Sequence, residues 1–72
     1  MTSKLDAYRI FNEVARQKSF SKAAKVLYMT QPAVSQTIMN LEEELGTSLF
    51  TRTSKGVVLT NDGQLLYEYI SS

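Results

Sequence analysis

The first hydrophobic pattern in the chain is helical and runs over residues 4–17. Apolar side chains recur there at spacings of three or four, with neighbours that widen the stripe: Leu5, Tyr8, Ile10, Phe11, Val14 and Ala15. Because an α-helix completes a turn every 3.6 residues, these positions fall on one side. The pattern predicts an amphipathic helix that packs on a core.

The next segment is a short helix that follows a break in the apolar pattern. Ser21 is its predicted N-cap, and Phe20 is the apolar residue that often precedes such a cap. Ala23 and Ala24 are adjacent small residues on this helix. They predict close packing against a neighbouring helix.

A third helix is predicted between two boundary signals. Thr30 is the predicted N-cap, and Pro32 falls in the first turn, where the missing N–H costs nothing. Gly46 stands where a helix commonly ends in the left-handed conformation. Between these boundaries one apolar stripe recurs every three or four residues: Val34, Ile38, Leu41 and Leu45. One side of this helix is therefore predicted to pack on the core, which leaves the other side free.

The pattern then changes from helical to extended. Two short runs compatible with β-strands, 49–52 and 57–59, flank Thr53-Ser54-Lys55-Gly56, which has the composition of a turn. Thr60 is the predicted N-cap of a last helix, whose apolar side is Leu65, Leu66, Tyr69 and Ile70. Because this stripe is still running at the last residue, we expect the helix to continue in a longer natural protein.

The order of these elements predicts the fold class. The second and third helices with their short link predict a helix-turn-helix, and the hairpin after them predicts a wing. The prediction is a mainly α, winged helix-turn-helix with a three-helix core and a two-stranded wing. It occupies residues 1–60, and residues 61–72 begin a linker or dimerisation helix.

Composition acts mainly by excluding classes of protein. With 72 residues, 43% of them hydrophobic, the chain can form one domain with a thin core. No apolar run approaches the roughly 20 residues of a membrane span, and no signal region opens the chain. The absence of cysteine fits a reducing compartment, so a cytoplasmic protein is expected.

The same composition argues against catalysis. The chain has no histidine and no cysteine, so it cannot build a nucleophile–imidazole pair or an ordinary zinc site. The acids at 42–44 are consecutive and therefore point in different directions. No glycine-rich phosphate loop is present. We expect neither an enzyme nor a cofactor within these residues.

Charge is segregated although the net charge is only +1. Residues 14–41 and 45–61 contain six basic side chains and no acidic one, and the remainder of the chain carries −5. A polyanion responds to such a local field rather than to the net charge. The alternative, that these are ordinary solvated charges, stays open at this point.

Several motifs occur in a fixed order: Ser19-Phe20, Ala23-Ala24 with Leu27, Gln31-Pro32-Ala33-Val34-Ser35, Leu41-Glu42 with Leu45-Gly46, Leu49-Phe50 with Arg52, and Leu59-Thr60 with Gly63. Together they resemble the amino-terminal domain of LysR-type bacterial transcriptional regulators. The resemblance implies a winged helix-turn-helix that binds double-stranded DNA as a homodimer, with a homotetramer as the alternative for the full-length protein. It also implies a separate domain for a small-molecule effector, which these residues do not include.

This chain departs from that family at three positions of the third helix. Relatives often carry a cation where Gln36 stands, a basic or amide residue at Thr37, and a basic residue at Met39. The helix that reads DNA therefore carries less charge here. Phosphate binding is expected to depend more on the second helix and the wing, and the target sequence is expected to differ.

The predicted DNA contacts follow from side-chain chemistry. Gln36 can pair with adenine N6 and N7, and Ala33 and Pro32 can pack on a thymine methyl. Hydroxyls and the capped start of the third helix suit phosphate oxygens. The residues predicted to contact DNA are Ser21, Lys22, Thr30, Gln31, Pro32, Ala33, Ser35, Gln36, Asn40, Arg52, Thr53 and Lys55.

Glu43 lies on the same face as Gln36 and would repel phosphate. Ala33 to Glu43 spans about 15 Å of helix axis, whereas a major groove is about 12 Å wide. The helix is therefore expected to enter the major groove at a tilt, with its N-terminal end inserted and Glu43 outside the groove. A solvated acidic face without consequence is the alternative.

The roles of the other side chains are left with alternatives. Arg52 binds a phosphate or forms an internal salt bridge, and Lys22, favoured over Lys25 as a phosphate contact, is otherwise a solvated charge. The aromatic residues Tyr8, Phe11, Phe20 and Phe50 are expected in the core rather than stacked on bases.

The outward part of Leu66, Tyr69 and Ile70 is assigned to a dimer. A winged helix that binds only proteins remains a rival, since fold alone does not fix function.

Overall fold

The computed structural model describes residues 4–71 as four helices and a two-stranded sheet. The elements are α1 (Lys4–Gln17), α2 (Phe20–Leu27), α3 (Gln31–Leu45), β1 (Phe50–Thr53), β2 (Gly56–Leu59) and α4 (Asn61–Ser71). This order confirms the predicted winged helix-turn-helix. The outer ends of the two predicted segments, residues 1–3 and 72, lie outside the described residues. Between residues 4 and 71, no helix combines the length and apolarity needed to cross a membrane.

The start of α2 differs from the prediction. Its N-cap is Ser19, which has extended backbone angles and whose Oγ accepts the Lys22 N–H at 3.1 Å. The predicted cap at Ser21 is wrong, because Ser21 lies inside the first turn. Starting the helix at Phe20 sets the ring of that residue against Phe50, with 5.9 Å between ring centroids.

The other predicted helix boundaries are confirmed. Thr30 Oγ1 accepts the Ala33 N–H at 3.3 Å, and Pro32 lies in the first turn of α3. Gly46 ends α3 with a φ of 72°. Before α4, Thr60 Oγ1 accepts the Gly63 N–H at 3.0 Å. Local side-chain chemistry therefore sets where α3 and α4 begin.

The core lies where α1, α2 and α3 meet and is closed by the wing. Its buried apolar residues are Ile10, Phe11, Val14, Ala23, Ala24, Val34, Ile38, Leu41, Leu49 and Val57. The two alanines are buried, as predicted, and three helices contact one another there. Three other aromatics pack partly buried on this core, which confirms their predicted role: Tyr8, Phe20 and Phe50.

The apolar stripes extend past this core at the helix ends. Leu5, near the start of α1, is 80% exposed, and Leu45, the last residue of α3, is also exposed. On α4 the predicted apolar side is divided: Leu66 and Ile70 pack partly buried on the core together with Tyr67, whereas Leu65 and Tyr69 are exposed.

The wing is held against the turn between α1 and α2. Its strands pair antiparallel, with Phe50 opposite Leu59 and Thr53 opposite Gly56. The Val57 N–H donates to the Lys18 carbonyl at 3.1 Å. Gly56, at a φ of 138°, passes so close to that carbonyl that a Cβ would not fit. The strands of the wing therefore have a fixed position beside α2.

Candidate nucleic-acid interface

The free side of α3 begins with neutral side chains. Exposed residues in its first ten positions are Gln31, Pro32, Ala33, Gln36, Met39 and Asn40, and Ser35 is half-buried beside them. On the opposite side Val34, Ile38 and Leu41 are buried in the core. The structure therefore brings six of the predicted contact residues together on one accessible surface.

Thr37, one of the three positions at which the third helix departs from the family pattern, does not belong to this surface. It is 9% exposed, and its Oγ1 donates to the Ala33 carbonyl at 3.0 Å. The backbone of its own helix satisfies the hydroxyl, which allows the residue to face the core. A departure from relatives at this position therefore does not alter the exposed face.

Amide side chains on this surface are already oriented within the chain. Gln31 Nε2 lies 3.2 Å from Ser35 Oγ, and Gln36 Nε2 donates to Asn40 Oδ1 at 2.9 Å. A glutamine amide has two N–H donors and one carbonyl acceptor. Each glutamine therefore keeps one N–H and its Oε1 for an external partner, in a side chain that has lost part of its rotamer freedom.

Basic side chains flank the neutral surface. Lys22 and Lys25 are exposed on α2, and Lys55 is exposed at the tip of the wing. The ion pairs of residues 4–71 are Lys4–Glu44, Arg9–Asp6 and Arg16–Glu13. The cations beside α3 are not in these pairs, so their positive charge is not neutralised by a bound carboxylate.

The partner of Arg52 is an aromatic ring. The sequence had left open a salt bridge between Arg52 and a carboxylate. The Arg52 guanidinium carbon lies 5.3 Å from the centroid of the Phe20 ring, within the range of a cation–π contact. The salt-bridge alternative for Arg52 is therefore wrong among the described residues. The guanidinium remains exposed on β1.

Two grooves meet at Arg52. One, of about 300 Å³, separates the start of α2 from the wing and is lined by Ser19, Phe20, Ser21, Gln31, Arg52, Thr53, Gly56 and Val57. The second, of about 220 Å³, is lined by Phe20, Ser35, Ile38, Met39, Glu42, Phe50 and Arg52. Arg52 therefore connects predicted contact residues of α2 and β1 with those of α3.

Two of the three consecutive acids have structural roles. Glu42 accepts the Leu49 N–H at 2.7 Å and so ties the end of α3 to the start of the wing. Glu44 lies 2.8 Å from Lys4 Nζ, and the hydrogen bond and charge of Glu44 raise the pKa of Lys4. Glu43 is exposed on the free side of α3. The negative charge facing a ligand is therefore smaller than the sequence indicates.

The chain has relatives among bacterial regulators. A model of bacterial regulatory helix-turn-helix proteins of the lysR family matches residues 5–64. The chain is 51% identical over 63 residues to the transcriptional activator AmpR of Rhodobacter capsulatus, covering 88% of this chain and 22% of AmpR. It is 52% identical over 60 residues to the regulator BudR of Klebsiella aerogenes, covering 83% of this chain and 42% of BudR. The chain thus spans less than half the length of these relatives.

A solved structure has the same fold. The crystal structure of the BenM DBD in a complex with catB site 1 DNA superposes with a TM-score of 0.88 at 43% sequence identity, covering 93% of this chain and 74% of that one. The relatives are named as transcriptional regulators, the class that the sequence motifs predict. The chain belongs to the lysR family of bacterial regulatory helix-turn-helix proteins.

Proposed function

We propose that this chain binds double-stranded DNA as the DNA-binding domain of a transcriptional regulator. The first half of α3 enters the major groove, and α2 and the wing contact the backbone on either side. The observation that carries the proposal is the neutral, small-residue surface of α3 beside cations that have no carboxylate partner among residues 4–71. Such a surface can approach base edges closely while the cations bind phosphates.

The relatives support this assignment. The BenM DBD, which has the same fold, is in a complex with DNA, and AmpR and BudR are named as transcriptional regulators. A regulator of this kind acts in the bacterial cytoplasm, on the nucleoid. We propose that DNA binding by these residues needs no cofactor, and that a small-molecule effector binds elsewhere in the whole protein.

Replacing Arg52 by alanine should weaken binding to specific and random DNA by the same factor, about fivefold, because a phosphate contact carries no sequence information. One fewer phosphate neutralised should also lower the slope of log affinity against log salt by about one. Fluorescence anisotropy with a selected duplex and a random duplex, at several salt concentrations, measures both effects.

Arg9→Ala is the matched control, because Arg9 is an exposed arginine of α1 beside Asp6. It should leave the salt slope unchanged. An unchanged slope in Arg52→Ala contradicts the phosphate role of Arg52. Salt-independent binding by the unaltered chain, or no binding, contradicts DNA binding and favours a module that binds proteins.

We also propose that two copies pair through α4. Tyr69 is 78% exposed and Leu65 is exposed beside it, whereas Leu66 and Ile70 are half-buried against the core. Of the residues assigned to the dimer, Tyr69 has the largest exposed fraction. Leu66 and Ile70 would support it from behind.

A rigid dimer needs two half-sites about 34 Å apart, or a multiple of that distance, on one face of the duplex. Inserting five base pairs between them should therefore reduce affinity about tenfold, because the second domain no longer reaches its half-site. An insertion of ten base pairs is the control, because it returns the second half-site to the same face of the duplex as the first. Gel-shift titration of the three duplexes measures the effect, and equal affinities contradict rigid pairing.

A further inference from the structure

Arg52 rests on a series of aromatic rings that leads into the core. Phe11 is fully buried, and its ring centroid is 5.3 Å from that of Phe50. Phe50 meets the edge of Phe20 at 5.9 Å, with an angle of 67° between the rings. The ring of Phe20 then faces the Arg52 guanidinium at 5.3 Å. The exposed end of a flexible side chain is thereby connected to the buried core.

We propose that Phe20 is a positioning residue for DNA binding, which holds the Arg52 guanidinium between the two grooves in the orientation that meets a phosphate. This inference rests on the proposed function and adds a role for the Phe20 ring, which orients a side chain that contacts DNA. Phe20 acts through Arg52, and its aromatic face is the part that matters.

The reason is conformational entropy. A free arginine side chain samples many rotamers, and binding a phosphate fixes them at a cost to affinity. A guanidinium held 5.3 Å from a ring centroid has lost part of that freedom before DNA arrives. The guanidinium has five N–H donors, so a cation–π contact with one ring leaves donors for a phosphate. The contact with Phe20 therefore orients Arg52 and still allows it to bind a phosphate.

The local backbone keeps this ring in place. Phe20 is the first residue of α2, directly after the N-cap Ser19, and its ring packs partly buried on the core. The strand that carries Arg52 is fixed to the same region, since Val57, paired opposite Arg52, donates its N–H to the Lys18 carbonyl at 3.1 Å. Ring and guanidinium are therefore attached to two elements with a fixed separation.

A double-mutant cycle on DNA affinity tests the proposal. Phe20→Leu should weaken binding about two- to fivefold, the value of an exposed cation–π contact expressed as affinity. In the Arg52→Ala background the same change should have no further effect. Phe20→Tyr, which keeps the aromatic face, should bind within about twofold of the unaltered chain. Equal losses from Phe20→Leu with and without Arg52 would overturn the proposal.

A second measurement uses the free protein and is independent of DNA. In NMR spectra the Arg52 side-chain protons should show ring-current shifts that disappear in Phe20→Leu and persist in Phe20→Tyr. Phe20→Met replaces Phe20→Leu if the latter does not fold. Arg52 shifts that do not change when the ring is removed would overturn the proposal.

Tyr67→Leu is the matched control, because it removes a half-buried ring that packs on the core from α4. Its effect on affinity should be the same with and without Arg52. If the unaltered chain does not bind DNA, the proposed function is wrong. The NMR shifts would then still show whether the Phe20 ring holds the Arg52 side chain. Normal binding without coupling between Phe20 and Arg52 would overturn only the positioning role.

Discussion

Gly63→Ala is expected to destabilise the domain by about 2–3 kcal/mol, a large part of the roughly 4–10 kcal/mol available to a chain of this size. Gly63 is buried in the first turn of α4. A Cβ there would overlap the Leu49 carbonyl and lie 3.0 Å from a methyl carbon of Leu59. Either α4 or the segment before β1 must move.

That movement also breaks a hydrogen bond. The Leu49 carbonyl accepts the Thr60 N–H at 3.0 Å, and this contact joins the start of the wing to the start of α4. Losing it costs about 1 kcal/mol, and overpacking costs about 2–3 kcal/mol here, because the nearest atom belongs to the backbone rather than to a flexible side chain. The better helix propensity of alanine returns about 1 kcal/mol. Thermal unfolding followed by circular dichroism should show a Tm lower by roughly 10–20 °C.

Gly46→Ala is the matched control for this substitution. Gly46 has a φ of 72°, but a Cβ there would meet nothing within 4 Å. Its replacement should cost only the left-handed backbone, about 1 kcal/mol. A Gly63→Ala variant no less stable than Gly46→Ala would show that the close approach of α4 to Leu49 does not constrain the fold.

Gln36→Ala is expected to reduce discrimination at one A·T position of the target by about 1–3 kcal/mol, with little change on random DNA. Gln36 is exposed on α3, and its bond to Asn40 leaves one N–H and the Oε1 free. These two groups match adenine N7 and N6. Affinities for the selected duplex, single-base variants of it and a random duplex measure the change.

Gln64→Ala controls for the loss of an exposed helical glutamine. Gln64 Nε2 donates to Glu68 Oε2 at 3.0 Å, so it has the same side-chain bond at a spacing of four residues, but on α4. It should leave base discrimination unchanged. If Gln36→Ala weakens specific and random DNA equally, Gln36 contacts the backbone or acts through the fold, and base reading by this residue is ruled out.

The order of elements could be predicted because its signals are local. Thr30 and Thr60 cap helices through hydrogen bonds to residues three positions away, and Gly46 needs only its own left-handed backbone. The exposed face of α3 follows from helix geometry, with Val34 and Ile38 buried opposite it. The family motifs add what these local rules do not contain, namely the link with DNA.

Contacts between distant segments could not be predicted in this way. Phe20 and Arg52 are 32 positions apart, and no spacing rule pairs them. Glu42 was interpreted as part of an acidic run, yet it binds the Leu49 N–H beyond the end of its helix. Thr37 has a polar side chain, and only packing shows that it faces the core. Each of these depends on tertiary structure, which the sequence pattern does not specify.

In the proposed complex the first half of α3 enters the major groove while α2 and the wing bind the backbone. Amide chemical-shift mapping during titration with a selected duplex tests this arrangement most directly. The largest changes should fall at residues 19–22, 30–36 and 52–55, and the exposed side of α4 should change little. Changes concentrated on α1 and α4, with 30–36 unaffected, would contradict it.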